Sequence, residues 1–467
     1  MAELAAALRA IAGDGGVLTA PEDLIAYGFD GTFFDRTPPL VVLPQTIDEV
    51  VAIHRLATRE RLAITPRAMG SGLSGGSVPL DGSIVLGVAR MNRILAIDPV
   101  DRVAVVEPGV ITADLQAAVE RHGLFYPPDP SSLRQSAIGG NIAENAGGAR
   151  GLKYGVTGDY VLALAVVLPD GTLIRTGGRS VKNVTGYNLR ALFTGSEGTL
   201  GTIVEATLRL IARPKAARTA LAVFDRLGDA AASVTAVLEA GILPTSIELI
   251  DRLTIRCIEE NAPAGLPRDA DAVLLFGVDG DHVEILDGEL AAIERVAREN
   301  GARDVTRARD AVESDRLWAA RRAISPSLAR RRPNKLGEDI AVPRRGIVAM
   351  CARVREIAAK YDLEIPLFGH IGDGNLHPNI LCDKRDPAEM VRVAAAAREI
   401  FEAAVALGGT LSGEHGIGLL KKQFMELDLG PETLALMRAI KTAVDPLGIM
   451  NPGKIFPDPG GADAFRL

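Results

Sequence analysis

Three of the six histidines in this 467-residue chain fall in two glycine-flanked motifs, Gly369-His-Ile-Gly-Asp-Gly-Asn-Leu-His-Pro-Asn379 and Ser412-Gly-Glu-His-Gly-Ile-Gly418. A single histidine is usually structural. Two of them plus a glycine-flanked glutamate, with no cysteine in either motif, make the nitrogen and oxygen donor set of a catalytic Zn, Fe or Mn ion that keeps coordination positions open. Ile371-Gly-Asp-Gly374 is strong turn chemistry between two apolar runs, 365–368 and 380–381. The spacing therefore predicts a hairpin across which His370 and His377 can face each other. Strand alternation then puts Asn379 on the face of His377, where it can meet a substrate.

A carboxylate-binding group lies upstream. Leu317-Trp-Ala-Ala-Arg-Arg-Ala-Ile-Ser325 reads as the end of an amphipathic helix, with Arg321 and Ser325 four apart on one face, and Lys335 follows ten residues later. The same stretch also reads as a solvated basic face, because Arg321, Arg322 and residues 330–332 form a run of arginines.

Anion binding of another kind is written into Pro66-Arg-Ala-Met-Gly-Ser-Gly-Leu-Ser-Gly-Gly-Ser-Val-Pro79, just after a short apolar run. Glycine and serine leave little side chain, so successive backbone N–H groups can close on a pyrophosphate. It is not a P-loop, for no lysine follows Gly75-Gly76. Nor is it the dinucleotide fingerprint, because the chain leads on into another strand near residues 83–87 instead of opening a helix. Two more clusters follow. The second runs from Tyr126-Pro-Pro-Asp-Pro-Ser-Ser132 through Ile138-Gly-Gly-Asn-Ile-Ala-Glu-Asn-Ala-Gly-Gly148 to Lys153-Tyr-Gly-Val-Thr-Gly-Asp159, and the third is Gly195-Ser-Glu-Gly-Thr-Leu-Gly201.

In these clusters, in this order, the sequence resembles the FAD-binding family typified by vanillyl-alcohol oxidase, and within it the D-lactate, glycolate and D-2-hydroxyglutarate dehydrogenases. The resemblance covers nearly the whole chain. It implies an α+β protein in which a two-part FAD-binding domain carries an antiparallel-sheet α+β cap domain. The flavin would be held by Arg67, Ala68, Met69, Gly70, Ser71, Gly72 and Ser74, by Pro128 and Ser131, by Gly139, Gly140, Asn141, Asn145, Gly147 and Gly148, and by Gly198, Gly201, Ile203 and Asn451. It further implies His370, His377 and Glu414 as metal ligands, which leaves His415 to act as the base beside Glu414. Arg321, Ser325 and Lys335 become substrate contacts, joined by Asn379. The chain departs from the D-2-hydroxyglutarate pattern in having serine at 325 and one residue fewer before Lys335, which bears on substrate size.

The implied activity is FAD-dependent oxidation of a small D-2-hydroxy acid, D-lactate or glycolate before D-2-hydroxyglutarate, by hydride transfer to flavin N5. A direct oxidase, or a flavin subunit of a multi-subunit electron-transfer complex, are the other readings. As a dehydrogenase it needs a separate electron acceptor such as an electron-transfer flavoprotein, a quinone or a cytochrome, and it would act as a homodimer or with partner subunits. The flavin should be non-covalent, since the loop from Arg67 to Ser77 contains no histidine to carry it.

A net charge of −7 argues against a nucleic-acid partner. Three dispersed cysteines, with no CxxC, fit a reducing compartment and argue against a disulfide frame, a cysteine-based zinc site or an iron–sulfur cluster. The first twelve residues lack the basic start and apolar core of a secretion signal, so the expected location is cytoplasmic, or peripheral at a membrane through a partner. The elements that must position these groups read as β-α-β up to residue 65, a hairpin over 94–108, a helix capped by Thr112, and a hairpin over 161–176. Beyond Pro214 the glycine clusters stop and two β-α-β units follow, 220–250 and 272–305. The expected division is an FAD domain, 1–213, a substrate-binding cap, 214–411, and a return to the FAD domain, 412–467.

Overall fold

Thr46 accepts the Glu49 N–H and closes the N-terminus of helix Ile47–Glu60, while Arg61, in the left-handed conformation, ends it. This helix buries Val50, Ile53 and Ala57 against Leu8 of the N-terminal helix Ala2–Ala12 and the strands Val41–Val42, Ile64–Arg67 and Ile84–Gly87. Each buried branched side chain contributes roughly 1.5–3 kcal/mol relative to exposure, and this small core fixes the end of Ile64–Arg67, where the first glycine loop begins.

The computed structural model describes residues 1–80 and 82–458, which form two compact units. The first comprises Met1–Ala146, Val156–Arg213 and Glu414–Leu467, and the second comprises Gly147–Gly155 and Pro214–Gly413.

In the first unit, Val17–Leu18, Val41–Val42, Ile84–Gly87 and Ile64–Arg67 form one sheet, parallel in its last two pairings. A five-stranded antiparallel sheet runs in the order Ile94–Asp98, Val103–Val106, Thr202–Arg209, Val161–Val167, Leu173–Gly177. Both expected hairpins are present in it, and Asp98 holds the first turn by accepting the N–H groups of Val100 and Asp101. The helix over Thr112–Glu120 forms, but Thr112 is not its cap. Its hydroxyl donates to the Ser136 carbonyl and accepts Asn141 Nδ2, and Ile111 takes the cap position. The C-terminal segment comes back beside Ile64, whose carbonyl accepts the Asn451 N–H at 2.7 Å.

In the second unit one antiparallel sheet runs Ala302–Arg307, Ala216–Phe224, Ala272–Gly280, Ser246–Asp251, Leu367–Gly369, Asn375–Cys382, Asn334–Gly337, with Ile340–Ala341 also pairing to Asn375–Cys382. Leu317, Ala320, Ile324 and Leu328 bury against Ile250, Leu275, Phe368 and Leu381 on one face of this sheet. The helix carrying Arg321 ends earlier than its periodicity suggests. Ala311–Arg322 stops at Ala323 and a second helix, Ile324–Arg331, begins. Pro326 explains the break, since it has no N–H to give the Arg322 carbonyl and its ring crowds that carbonyl. Arg321 and Ser325 therefore sit on two successive helices and not on one face of a single helix. Gly147–Gly155 joins this unit through Asp279, whose carboxylate takes Lys153 Nζ at 2.6 Å and the Tyr154 hydroxyl at 2.9 Å.

All three cysteines are buried and free. Among the described residues no helix is long and apolar enough to cross a membrane.

Candidate functional site

The first unit brings together the first and third glycine clusters, the second cluster as far as Ala146, and Asn451. A Cβ on Gly140 would lie 3.4 Å from Ala68, and one on Gly198 would lie 3.1 Å from Pro66, so the second and third clusters both back onto the first. Asn451 Nδ2 donates to the carbonyls of Gly76 (2.8 Å) and Glu197 (2.7 Å), while its Oδ1 is buried and finds no hydrogen-bond partner among the described residues. Within the loop, Gly31 N–H donates to the Gly72 carbonyl and Asp30 Oδ2 accepts the Gly75 N–H at 2.9 Å, which fixes the loop at two points. Over residues 69–74, none of the backbone N–H groups donates to a protein acceptor among the described residues. Gly70 has φ +66°, and a Cβ there would fall 2.0 Å from the Arg67 guanidinium. Such a run of open donors beside Ser71, Ser74 and a largely buried arginine fits the phosphates of FAD.

The other expected flavin residues are more dispersed. Asn141 is turned inward onto Thr112, and Asn145 caps helix Ile138–Glu144 in the left-handed conformation and accepts the Gly158 N–H. Gly139 packs on Pro108, Gly201 on Val166 and Val167, and Ile203 lies on strand Thr202–Arg209. The Pro128 carbonyl takes Gln116 Nε2, and Ser131 is exposed in the following turn. Gly147 and Gly148 belong to the segment grouped with the second unit.

Three carboxylates that sequence reasoning passed over lie behind this loop. Burial raises Asp30, pushes Glu197 up to about 7, and holds Glu144 well above the ordinary carboxylate range, where the charges of Glu197 and Asp30 add to the effect. Lys454, almost fully buried, donates to the Val78 carbonyl, and burial lowers it to about 8. In the same unit Glu414 and His415 are adjacent, with His415 Nε2 3.9 Å from Glu414 Oε1.

The second unit gathers the expected substrate residues and two of the three expected metal ligands, His370 and His377, about its sheet, whereas Glu414 belongs to the first unit. In the hairpin Leu367–Gly369/Asn375–Cys382, Phe368 pairs with His377. Gly374 (φ +87°) turns where a Cβ would strike the Val342 carbonyl at 2.1 Å, so only glycine fits. The turn brings the His370 and His377 rings to 5.2 Å between centroids, edge to face, both 4% exposed. Paired residues, and every second residue along a strand, share a face. By that rule Lys335 (opposite Leu381), Gly337 (opposite Asn379), His377, Phe368 and Glu248 all point the same way. Lys335 Nζ donates to Ser325 Oγ at 2.7 Å, and Arg321 lies over the Phe368 ring, 5.2 Å from its centroid.

Two buried acids organise this face. Glu248 Oε1 is 2.6 Å from His370 Nδ1, and its Oε2 accepts Arg321 Nε. Burial alone would raise Glu248, but the His370 and Arg321 charges outweigh it and hold the carboxyl below its ordinary range. Asp339 accepts Asn375 Nδ2 at 2.6 Å and the Ser412 hydroxyl at 2.8 Å, and lies 3.5 Å from His377 Nδ1. The sequence signal for Glu248 was a lone acid inside an apolar strand, Ser246-Ile-Glu-Leu-Ile250, which burial would force to find a cation.

Residues 213–455 match the model of the C-terminal domain of FAD-linked oxidases, and residues 38–177 match that of an FAD-binding domain. The chain is 46% identical to the glycolate oxidase subunit GlcD of Bacillus subtilis, over 92% of each chain. It is 36% identical to D-2-hydroxyglutarate dehydrogenase of Stutzerimonas stutzeri, over 96% of this chain and 98% of that one, and 33% identical to D-lactate dehydrogenase of Anaerostipes hadrus, over 90% and 89%. Among solved structures it superposes on p-cresol methylhydroxylase with a TM-score of 0.81 at 19% identity, covering 98% of this chain and 97% of that one. For 4-ethylphenol oxidase from Gulosibacter chungangensis the TM-score is 0.80 at 21% identity, with 98% of each chain covered. These two share the fold alone. The chain belongs to the FAD-linked oxidase family: it is an FAD-dependent oxidoreductase with the flavin-binding fold of the vanillyl-alcohol oxidase type.

Proposed function

We propose that this enzyme oxidises a small D-2-hydroxy acid, with D-lactate or glycolate favoured, to the 2-oxo acid. The observation that carries the reading is the grouping of Arg321, Ser325, Lys335, His370, His377 and Asn379 about one sheet face: two cations for a carboxylate beside two histidines for a hydroxyl. Relatives named for glycolate, D-lactate and D-2-hydroxyglutarate all take a carboxylate with a 2-hydroxyl, which supports it.

Arg321 and Lys335 hold the carboxylate, and Asn379 limits where the rest of the substrate can lie. His370, His377 and Glu414 are the proposed ligands of a divalent metal ion, which when bound supplies a Lewis acid for the 2-hydroxyl. His415, the residue after Glu414, accepts the hydroxyl proton, a step worth typically 10²–10⁴-fold. FAD, when bound without a covalent link, supplies the acceptor for the hydride leaving Cα. Arg67 and the open N–H groups of residues 69–74 hold the cofactor phosphates.

The word subunit in the names of two relatives supports a second reading, in which electrons pass to partner subunits. A purified, FAD-loaded sample assayed with D-lactate and glycolate tests both. Turnover with an artificial acceptor but not with O₂ is expected of a dehydrogenase. Turnover only after partner subunits are added favours the second reading, and no turnover under any of these conditions defeats the first.

A further inference from the structure

The third glycine cluster carries an acid where the flavin loop has no need of one. Glu197 stands between Gly195 and Gly198 with φ +51°, a left-handed conformation that a residue with a Cβ adopts only when its surroundings hold it. Its carboxylate supplies the hold. Oε1 accepts the Ile417 N–H at 2.8 Å and Oε2 the Gly418 N–H at 2.7 Å. Its own N–H donates to the Ala143 carbonyl, and its carbonyl accepts Asn451 Nδ2. One residue thus ties the second cluster, the third cluster, the C-terminal Asn451 and the backbone two and three residues beyond His415.

The fit around that backbone leaves no slack. A Cβ on Gly416 would fall 2.0 Å from Glu144 Oε2 and 3.2 Å from Glu197 Oε1, and one on Gly418 would fall 2.2 Å from the Ser74 carbonyl. That carbonyl in turn accepts the N–H groups of Leu419 and Leu420. The charged groups facing Glu197 are Glu144, Lys421 and Lys454, and Asp30 in turn faces Glu144 and Lys454. Glu144 makes a single hydrogen bond, from Ser74 Oγ at 3.3 Å, and its Oε2 is buried without a partner among the described residues. The two acids are therefore not equivalent. Glu197 spends both oxygens on N–H donors, as an ionised carboxylate does, whereas Glu144 sits as a neutral acid would.

We propose that Glu197 is a positioning residue for His415, its carboxylate clamping the N–H groups of Ile417 and Gly418 so that the backbone carrying Glu414 and His415 is held in one conformation. The proposal rests on the reading of His415 as the base.

The test compares Glu197→Gln with Glu144→Gln in FAD-loaded, full-length protein. An amide at 197 presents one acceptor and one NH₂ to two N–H donors, so one clamp bond is lost. Hydrogen exchange of the peptide spanning residues 415–420 should then accelerate about tenfold or more. Flavin reduction by substrate should slow by a similar factor, with KM little changed and flavin and metal content at wild-type levels. Glu144→Gln should match wild type in all of these. Unchanged exchange in Glu197→Gln would overturn the clamp. Faster exchange with an unchanged reduction rate would overturn its role toward His415, and loss of FAD would make Glu197 a flavin-pocket residue instead. If wild-type protein reduces with no 2-hydroxy acid, the functional reading fails, while the exchange measurement still decides the clamp.

Discussion

His370 Nδ1 lies 2.6 Å from Glu248 Oε1, and both side chains are buried, with Glu248 wholly enclosed. An ionised carboxylate in that position accepts the Nδ1–H of a neutral imidazole, so that Nε2 is the nitrogen that would bind a metal ion, the arrangement by which an outer acid orients a metal-binding imidazole. Glu248 also fixes Arg321. Glu248→Gln keeps the shape but removes the charge, and should lower metal affinity by about 10–100-fold while FAD stays bound. Metal titration followed by flavin fluorescence checks both halves. Unchanged metal affinity would mean that Glu248 serves only Arg321.

Lys335, which donates to Ser325 Oγ at 2.7 Å, is the other proposed substrate contact. Lys335→Met should weaken binding of the substrate carboxylate and raise KM by about 10–100-fold, with a smaller effect on kcat, the pattern of a binding contact made equally in ground and transition states. Steady-state kinetics with D-lactate and glycolate provide the measurement. A fall in kcat at constant KM would move Lys335 out of the carboxylate site.

Much of this site was legible because it is local. The hairpin of His370 and His377 follows from the turn Ile371-Gly-Asp-Gly374, and the open N–H groups of residues 69–74 from the glycines of one loop. What escaped depends on contacts far apart in sequence. Glu248 meets Arg321 and His370 across separations of 73 and 122 residues, and Glu197 meets Ile417 across 220. No periodicity carries such information. The break at Ala323 was a different failure: Pro326 was in plain view, but the apolar spacing of Leu317, Ala320 and Ile324 continues across it. Thr112 was misread because a threonine before an apolar run signals a cap, whereas here its hydroxyl is needed by Asn141 and Ser136.

Glu414 and His415 are neighbours with different proposed jobs. Glu414→Gln should reduce bound metal and activity together. His415→Asn should keep both metal and flavin, yet slow flavin reduction by about 10²-fold or more. Stopped-flow reduction of metal-loaded protein across pH separates them. If His415→Asn reduces at the wild-type rate with the same pH dependence, the base is another group.

The buried acids behind the flavin loop make stability depend on pH. Burial raises Glu144 well above its ordinary 4.5, so above that pH the folded protein keeps a proton that the unfolded chain has released. Folded stability therefore falls as pH rises from about 5 toward the raised value. Glu144→Gln removes this titration, so its stability relative to wild type should grow with pH, by at most about 1.4 kcal/mol per pH unit. Thermal or urea unfolding of both proteins at about pH 5 and about pH 8 checks the sign. A difference that shrinks with pH would show that Glu144 is ionised in the fold.

Anaerobic flavin bleaching tests the proposed hydride transfer from a D-2-hydroxy acid without any knowledge of the electron acceptor. FAD- and metal-loaded protein is mixed in the absence of O₂ with D-lactate, L-lactate, glycolate or D-2-hydroxyglutarate, and the oxidised flavin absorbance is followed. Rapid bleaching is expected with D-lactate or glycolate, slower bleaching with D-2-hydroxyglutarate, and none with L-lactate. Flavin that stays oxidised with every one of these acids, in protein that a chemical reductant bleaches normally, would contradict it.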